Sequence, residues 1–498
     1  MVTVTSATLA NLSDRVAVPE YPRDAVTTGV VHFGVGAFHR AHQAKFLDDI
    51  VAAGASEWGI CGVGMLPGDR ALRDVFRAQD NLYTLVTVAP DGISAARVIG
   101  SIVEYLYAPE DGQAVLAKLA DPITRIVSLT ITEGGYNVSD ATGEFDPQDP
   151  ATRADLEGSG ADAPQSVLGY IVAGLRMRRA AGTPPFTVMS CDNIQANGQI
   201  ARTAVRGFAE RTDPELAAWI EQNVAFPSSM VDRITPATTD QTREKIAAEF
   251  GVDDAWPVRS EAFEQWVLED WFPAGRPAFQ DVGVQVVDDV EPYELMKLRL
   301  LNASHQAMSY LGILSGANFV HEVCTDPLFV EFLLGYMREE ARPTLRPVPG
   351  IDLDAYCDQL IARFSSVAIE DTLARQVVDG SDRIAKFLLP VLADQLAVGD
   401  QPGCQAQIRR SALVLAAWSV FLEGRTEAGL PTPIADRRRA ELEAAVRKER
   451  TSPGSFLDYT PVFGDLGQDP ILRTAFIDAR ATLAQHGART AIAALGGS

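Results

Sequence analysis

A lysine, an asparagine and a histidine stand at chemically useful spacing in KLRLLNASHQAM, residues 297–308. The segment contains no glycine or proline and predicts a helix. At 100° per residue, Asn302 and His305 fall within about 140° of Lys297, on an arc that also carries Glu294. Leucine, alanine and methionine fill the rest of that arc and the opposite side. We therefore predict a helix that is buried nearly all round.

Burial would give Lys297 an unusual chemistry. A buried lysine is costly unless it is paired, and loss of solvent lowers its pKa, which are the conditions for a general base. The Asn302 amide could donate to an oxygen that becomes negative during hydride transfer. The spacing also fits a structural ion pair between Lys297 and Glu294 one turn away. The pattern alone leaves both interpretations open.

A second set of candidate residues lies at the first strand-to-helix turn, where GVGAFHRAH follows a predicted strand at residues 30–33. Two glycines at such a turn let the backbone approach a pyrophosphate, which the N-terminus of the next helix stabilises. His39 replaces the third glycine of the usual fingerprint, and G-x-G alone also occurs by chance. The candidate cofactor-binding residues here are Gly34, Val35, Gly36, Ala37 and Phe38.

Asp69 follows the second predicted strand, residues 59–64. Its carboxylate could accept from the adenosine ribose hydroxyls and would repel a 2′-phosphate, which favours NAD over NADP. Arg70 beside it weakens that preference, and a turn role within PGD fits equally well. His39 and His42 share a helix face, but no Cys or carboxylate accompanies them at ligand spacing. Hydrogen-bonded or packing histidines, and no metal site, are therefore expected.

The order of elements predicts the fold class. Strand-like and helical segments alternate through the first half, which indicates an α/β domain with a mostly parallel sheet. After VGVQVVDD, near residue 290, only helical segments follow, at 326–340, 353–364, 405–422 and 471–486. With 498 residues the chain exceeds one ordinary core. We predict an N-terminal cofactor domain at 1–287 and an all-α C-terminal domain at 288–498.

Composition narrows the class of partner and the compartment. A net charge of −23 disfavours nucleic acid and anionic membranes. No apolar run approaches the roughly 20 residues of a membrane helix, and the N-terminus lacks a secretory signal. Reduced thiols in a cytoplasmic protein are expected, because the cysteines are odd in number and never form C-x-x-C. They are Cys61, Cys191, Cys324, Cys357 and Cys404.

The motifs, taken in order, resemble those of the polyol-specific long-chain dehydrogenases. They are GVGAFHRAH, SLTITEGGY, SCDN, MVDRITP, DDAWPV, WVLED, KxxxxNxxH, DPLFV and PVPGIDL. The series spans essentially the whole chain and is more specific for the family than for its substrate. The resemblance implies a metal-independent, NAD-dependent oxidoreductase with a Rossmann-type N-terminal domain and a helical C-terminal domain. It also implies an active site between the domains and a monomer.

The resemblance assigns the chemical step to four residues. Lys297 would be the general base, and Asn193 with Asn302 would form the oxyanion hole. Glu294 would help protons pass between the buried lysine and water. Taken without the resemblance, Asn193 could merely cap a turn after a strand.

Four further residues would bind and orient the substrate. His305 and Asp232 would hold its hydroxyls, and Arg375 and Arg383 correspond to polyol-binding positions. Asp232 beside Arg233 could alternatively form a local surface pair. The family carries Lys at the position of Arg383, and an arginine fork makes different hydrogen bonds from an ammonium group, which bears on the polyol preference.

A second departure from the family concerns the cofactor. Relatives carry an acid where this chain has Gly68, directly before Asp69. Loss of that acid would loosen the selectivity for NAD.

The expected reaction is the reversible oxidation of D-mannitol to D-fructose with NAD. Oxidation of D-arabinitol to D-xylulose and reduction of a hexuronate are alternatives within the family, and Arg383 could face a uronate carboxylate. A dinucleotide-binding sensor without turnover is the alternative from another class. A purely structural protein would have no reason to bury Lys297, Asn302 and His305 on one arc.

Overall fold

The computed structural model describes residues 1–139, 142–158, 162–399 and 406–496. The chain divides into two compact units. The first comprises Met1–Ala89 and Ile93–Glu291, and the second comprises Pro90–Gly92 and the chain from Pro292 onward. The limits 1–287 and 288–498 for a cofactor domain and a helical domain remain a prediction.

The first unit is α/β. Its strands, numbered along the described chain, are β1 (Val2–Thr3), β2 (Val16–Ala17), β3 (Val30–Phe33), β4 (Ile60–Gly64), β5 (Tyr83–Val88), β6 (Ser94–Ile99), β7 (Ile102–Tyr107), β8 (Ile126–Leu129), β9 (Thr187–Ser190), β10 (Ser229–Asp232), β11 (Val252–Asp253), β12 (Val258–Glu261), β13 (Gln265–Glu269) and β14 (Gln285–Val287).

A five-stranded sheet of order β7-β4-β3-β8-β9 forms the centre of this unit, and all its neighbouring strands are parallel. Successive residues point to opposite faces. Val31 and Phe33 pack into one hydrophobic cluster, whereas Val30 and Ile60 pack into a second one on the other face. Burial on both faces explains why these strands read as continuous apolar runs. The prediction of a mostly parallel sheet is confirmed.

The β-rich segment YTLVTV is a strand, but it does not belong to the parallel sheet. It forms β5, which pairs antiparallel with β6 in a separate four-stranded sheet of order β12-β5-β6-β2. A short hairpin joins β5 to β6, and such a connection permits only antiparallel pairing. The fifth parallel strand is β7. A three-stranded sheet, β10-β13-β14, and the pair β1-β11 complete the strands of the described residues.

The first unit contains ten α-helices among the described residues. They are α1 (Ala37–Ala41), α2 (Gln43–Ala52), α3 (Asp69–Ala78), α4 (Ala108–Ala120), α5 (Thr132–Gly135), α6 (Pro150–Glu157), α7 (Val167–Ala181), α8 (Asn197–Thr212), α9 (Pro214–Asn223) and α10 (Asp240–Phe250). Of these, α3, α4 and α8 pack against strands of the central sheet.

The second unit is helical, and its described part contains isolated bridges but no strand. Its helices are α11 (Glu291–Met296), α12 (Ala303–Leu314), α13 (Val320–Cys324), α14 (Pro327–Gly335), α15 (Leu353–Phe364), α16 (Leu373–Gln376), α17 (Gly380–Arg383), α18 (Leu389–Gly399), α19 (Arg409–Phe421), α20 (Arg439–Glu449), α21 (Thr460–Phe463) and α22 (Pro470–Ala493).

Three aspartates explain why several helix starts were predictable. Asp326, Asp352 and Asp469 precede α14, α15 and α22, and each side chain accepts from backbone N–H groups of the first turn. The predicted helix 353–364 is confirmed. The predicted helix 405–422 is found as Arg409–Phe421, and its first residue, Gln405, lies outside the described residues.

Three helices of the second unit contain a segment of π-helix. The π segments are Lys297–Asn302, Tyr336–Ala341 and Ile384–Leu388. The first of them joins α11 to α12 in one continuous helix, 291–314. It also packs against the other two. Segments of this kind are rare and frequently stand at functional sites.

Among the described residues, no helix has both the length and the apolar character needed to cross a lipid bilayer. Cys61, Cys191, Cys324 and Cys357 are buried and free of disulfide bonds. Cys404 lies outside the described residues.

Candidate active site

The helix 291–314 carries the candidate base in an apolar environment. Lys297 is 7 % exposed, Glu294 6 % and His305 7 %. The prediction of a helix buried nearly all round is confirmed. Its apolar buried residues include Leu298, Leu300, Leu301, Ala303, Ala307, Met308, Leu311 and Leu314.

The geometry between Lys297 and Asn302 differs from the uniform α-helix that we predicted. The Ala303 amide donates to the Leu298 carbonyl, five residues back, instead of the Arg299 carbonyl four residues back. A turn closed in this way holds about one residue more than the 3.6 of an α-turn, so five residues make roughly one full turn. Lys297 and Asn302 therefore lie on the same side of the helix, about 30° apart by this count instead of the 140° of regular α geometry.

Several side-chain polar atoms in and beside this turn are buried without a partner among the described residues: the Arg299 Nε, the Asn302 Oδ1, the Ser304 Oγ and the His305 Nε2. Burial lowers the pKa of His305 to about 4, so the ring is neutral near pH 7. Its centroid lies 4.8 Å from that of Phe364. Buried polar atoms in native proteins are normally bonded. Of these atoms, the Asn302 Oδ1 and the His305 Nε2 belong to predicted site residues and are suited to meet the polar groups of a ligand.

Arg383 is connected to the helix 291–314 through one carbonyl group. The Gln376 carbonyl accepts from the Arg383 Nη1 at 3.3 Å and from the Gln306 Nε2 at 3.0 Å. Arg375 is fixed by Asp371, whose two carboxylate oxygens accept from its Nε and Nη2, each at 2.8 Å. The second unit thus brings both candidate arginines beside the helix of His305.

Sequence reasoning missed Asp371. A signal was available, because an acid four residues before an arginine is the spacing of a helical ion pair. Burial raises the pKa of Asp371, but the bonds and positive charge of Arg375 outweigh that effect and hold the pKa below its usual value.

The two glycines of the glycine turn, Gly34 and Gly36, have different surroundings. Gly34 has φ +91°, and a Cβ there would clash with the Thr130 carbonyl oxygen, so the fold itself requires glycine. The Gly36 amide donates to the Gly34 carbonyl at 2.7 Å. A Cβ on Gly36 would meet only that carbonyl oxygen, at 3.9 Å. The protein does not fill the space at Gly36, which is what a backbone approached by a ligand requires.

His39 takes the place of the third glycine in a specific way. Its ring stacks on that of His32, with centroids 3.4 Å apart and an interplanar angle of 12°. His32 itself is hydrogen-bonded to the Ser128 Oγ at 2.8 Å and the Thr130 Oγ1 at 3.0 Å. A third glycine normally allows close helix–strand packing. Here two flat rings provide that contact.

The glycine turn leads into a short helix that local pattern does not indicate. The sequence indicated a helix from Gln43, whereas α1 begins at Ala37 and gives way to α2 at His42. His42 bonds to the Gln265 carbonyl at 2.9 Å and to the Gln43 side chain at 3.0 Å. Within the described ranges, no three His, Cys, Asp or Glu side chains are grouped so as to hold a metal ion.

Asp69 occupies the first position of α3 and has a turn role. Its Oδ2 accepts from the backbone amides of Met65 and Leu66, each at 2.8 Å. The carboxylate is thereby fixed at the carboxyl end of β4. The neighbouring Gly68 has φ −65°, and a Cβ there would meet no atom within 4 Å.

Asn193 is exposed in the loop after β9. The loop is held by Asp192, whose two oxygens accept from the amides of Ile131 and Thr132 at 3.0 and 2.9 Å. The Tyr136 hydroxyl also donates to Asp192 at 2.6 Å. Burial raises the pKa of Asp192, although these bonds oppose the shift. The motifs SLTITEGGY and SCDN thus contain the residues that hold Asn193 in place.

Asp232 is the last residue of β10 and is buried. Its neighbour Arg233 is buried too, and donates to the Ala41 carbonyl at 2.6 Å and to Glu264 at 2.8 Å. The alternative of an exposed pair between Asp232 and Arg233 is therefore wrong.

The sequence matches two family models. Residues 28–281 match the mannitol dehydrogenase Rossmann domain, and residues 289–484 match the mannitol dehydrogenase C-terminal domain. The chain belongs to the mannitol dehydrogenase family. The predicted combination of a Rossmann domain with a helical domain is thereby confirmed.

Individual members of the mannitol dehydrogenase family are similar over almost the whole chain. A mannitol 2-dehydrogenase of Phaeosphaeria nodorum is 46% identical over 490 residues, which cover 97% of this chain and 84% of the relative. One of Aspergillus fumigatus is 45% identical over 455 residues, covering 90% and 89%.

Two solved structures have the same fold. The Pseudomonas fluorescens mannitol 2-dehydrogenase ternary complex with NAD and D-mannitol has a TM-score of 0.89 and 44% identity, and 99% of each chain is covered. A D-sorbitol dehydrogenase in substrate-free form has a TM-score of 0.89 and 39% identity, covering 98% of this chain and 100% of the other.

Proposed function

We propose that this protein catalyses the NAD-dependent, reversible oxidation of D-mannitol to D-fructose. The observation that carries the proposal is its likeness, over the whole chain, to a mannitol 2-dehydrogenase solved with NAD and D-mannitol. The residues quoted in the sequence motifs would supply a base, amide donors and hydroxyl-binding groups of the kinds that this reaction needs.

The cofactor would be held by the glycine turn and by Asp69. The open space at Gly36 fits a pyrophosphate close to the backbone of residues 34–38. The Asp69 carboxylate, fixed by two backbone amides, would accept from the adenosine ribose. When bound, NAD supplies the acceptor for the hydride that leaves C2 of the polyol.

Lys297 would act as the general base. Oxidation removes a hydride from C2 and a proton from its hydroxyl, and a neutral Lys297 would accept that proton. Glu294, one turn earlier on the same helix, would pass the proton on to water. Because the base must be neutral for oxidation and protonated for reduction, oxidation is favoured at alkaline pH and ketose reduction at lower pH.

The two asparagines would stabilise the substrate oxygen as it gains alkoxide character. Asn302 and Asn193 would each donate an amide N–H to that oxygen. The buried, unpartnered Asn302 Oδ1 indicates that this side chain is not engaged in structural bonding at that end.

Four residues would fix the polyol. A neutral His305 and the buried Asp232 would bond to hydroxyl groups near the reacting carbon. Arg375 and Arg383, both charged at all relevant pH values, would bind the remaining hydroxyls. Burial of His305 and Asp232 would strengthen their bonds to the substrate and penalise substrates that lack a partner hydroxyl.

A second candidate function is favoured by Arg383, where the family carries Lys. An arginine fork binds a carboxylate in a bidentate manner. Arg383 could therefore bind the carboxylate of a hexuronate, and the second candidate function is the reduction of such a substrate. D-arabinitol and D-sorbitol are further substrate candidates within the family. As parts of the same proposal, the enzyme is a cytoplasmic monomer without a nucleic-acid partner.

A substrate panel tests the proposal. Initial rates with mannitol, arabinitol, sorbitol and fructuronate are measured under identical conditions with NAD and with NADP, following the reduced cofactor at 340 nm. We expect the highest kcat/KM for mannitol with NAD. Faster turnover of fructuronate would favour the uronate enzyme. Binding of NAD in calorimetry without turnover of any substrate would favour a sensor.

A further inference from the structure

Tyr336 makes a single hydrogen bond to the backbone of the π turn. Its hydroxyl donates to the Arg299 carbonyl at 3.0 Å, and the side chain is fully buried. In an α-helix that carbonyl would accept from the Ala303 amide. Because the Ala303 amide donates to Leu298 instead, Tyr336 supplies the bond that π geometry takes away from Arg299.

The Arg299 side chain is anchored to neighbouring helices as well. Its Nη1 donates to the Thr344 carbonyl at 2.9 Å and to Asp394 at 2.6 Å. Tyr336 and Thr344 belong to one segment, 336–344, which begins with the second π segment. This segment therefore contacts both the backbone and the side chain of Arg299.

The π turn determines whether Lys297 and Asn302 face the same way. With π closure they are about one full turn apart, whereas regular α geometry would separate them by about 140°. A base and an oxyanion donor that serve one hydroxyl must both point at it. The turn is thus a requirement of the proposed mechanism.

We propose that Tyr336 is a positioning residue, whose hydroxyl holds the π turn that places Asn302 on the same side of the helix as Lys297. This inference rests on the roles proposed above for these two residues. Tyr336 acts through the Arg299 carbonyl and does not itself take part in the reaction.

Loss of the hydroxyl has a definite structural consequence. The Arg299 carbonyl would be left buried without that bond, and the nearest replacement donor along the helix is the Ala303 amide. Pairing of these two groups restores an α-turn and rotates Asn302 away from Lys297. Burial raises the pKa of Tyr336 well above its usual value, so the hydroxyl remains a donor at the alkaline pH at which oxidation is favoured.

The test compares Tyr336→Phe with Tyr293→Phe. Tyr293 lies on the helix 291–314, which contains the π turn, and is buried. Its hydroxyl donates to the Pro349 carbonyl at 2.8 Å, so the control variant loses the same kind of bond away from the π turn. We expect Tyr336→Phe to lower kcat for mannitol oxidation about 10- to 100-fold, with KM changed less than about threefold. We expect Tyr293→Phe to keep kcat within about twofold. Its urea midpoint should fall about as much as that of Tyr336→Phe.

A double mutant separates positioning from a general loss of structure. If Tyr336 acts through Asn302, Tyr336→Phe should cost little further activity in the Asn302→Ala background. Full, multiplicative losses would overturn the proposal, as would an unchanged kcat in the single variant.

A crystal structure of Tyr336→Phe gives a readout that does not depend on the reaction. We expect the Ala303 amide to donate to Arg299, and a retained bond to Leu298 would contradict the proposal even if the wild-type enzyme prefers another substrate. Failure of the wild type to oxidise mannitol would instead count against the proposed function alone.

Discussion

Asp371 holds Arg375 in a two-pronged ion pair, with the Nε and Nη2 of the arginine each 2.8 Å from a different carboxylate oxygen. Such a pair fixes the plane of the guanidinium group and leaves its Nη1 to bind a ligand. The acid is buried, and its Oδ2 also accepts from the Gln376 side chain at 2.8 Å. Asp371 therefore determines how Arg375 is presented.

We expect Asp371→Asn to raise KM for mannitol about 10-fold with a smaller change in kcat, because the amide keeps the shape but loses the charge that fixes Arg375. Steady-state kinetics with saturating NAD provide the measurement. Asp270→Asn is the matched control, since Asp270 forms the same fork with Arg276 at 2.7 and 2.9 Å. Equal KM values in both variants would count against this role.

The two glycines of the turn should respond differently to alanine. Gly34→Ala places a Cβ against the Thr130 carbonyl at φ +91°, and we expect a loss of about 2 kcal/mol or more in the free energy of unfolding. Gly36→Ala has φ −81° and open space, so the fold should be kept while Kd for NAD rises about 10-fold. Urea unfolding and calorimetric titration with NAD distinguish the two effects. Unchanged NAD affinity in Gly36→Ala would place the pyrophosphate elsewhere.

Restoring an acid before Asp69 should tighten cofactor selectivity. Gly68 has helical φ and ψ, and a Cβ at this position would have no atom within 4 Å, so a larger residue fits. We expect Gly68→Glu to raise the ratio of kcat/KM for NAD over NADP about 10-fold, chiefly by repelling the 2′-phosphate of NADP. Gly68→Ala adds the Cβ without the charge and should leave the ratio unchanged. An equal effect of both variants would show that the shape of the side chain at position 68, and not its charge, determines the selectivity for NAD over NADP.

The buried His305 should make the protein less stable in acid. The unfolded chain binds a proton on this histidine near pH 6.5, whereas the folded protein binds it only near pH 4. The unfolded state therefore binds more protons between these values, and stability falls as pH falls through this window. The contribution is roughly 2 kcal/mol at pH 5.

Urea unfolding at pH 7.5 and pH 5.0 measures this effect. The His305→Gln variant cannot take up the proton, so its free energy of unfolding should fall by about 2 kcal/mol less than that of the wild type over the same interval. An identical fall in both proteins would mean that His305 titrates normally in the folded state.

Much of the fold was readable from local pattern. Buried parallel strands appear as apolar runs, and an aspartate before a helical segment marks its start, as Asp352 does for Leu353–Phe364. The partner of a strand was not readable in the same way. The segment Tyr83–Val88 has the composition of a central strand, yet its hairpin with β6 places it in another sheet.

The candidate site was predictable as a set of residue types but not in its geometry. The spacing of Lys297 and His305 on a buried helix is a local property, and burial of that helix is confirmed. The π turn between Lys297 and Asn302 depends on a hydroxyl from Tyr336, which is distant in sequence. Local periodicity contains no information about such a contact, so a regular α-helix was the only prediction it allowed.

The most direct test of the proposed mechanism is the pH dependence of kcat/KM for mannitol oxidation in the wild type and in Lys297→Ala, with and without added methylamine. We expect the wild-type value to rise with pH through one ionisation and level off. In Lys297→Ala that ionisation should be absent, activity should fall by about 10²- to 10⁴-fold, and methylamine should restore part of it. An unchanged profile and rate in Lys297→Ala would contradict the role of Lys297 as the base.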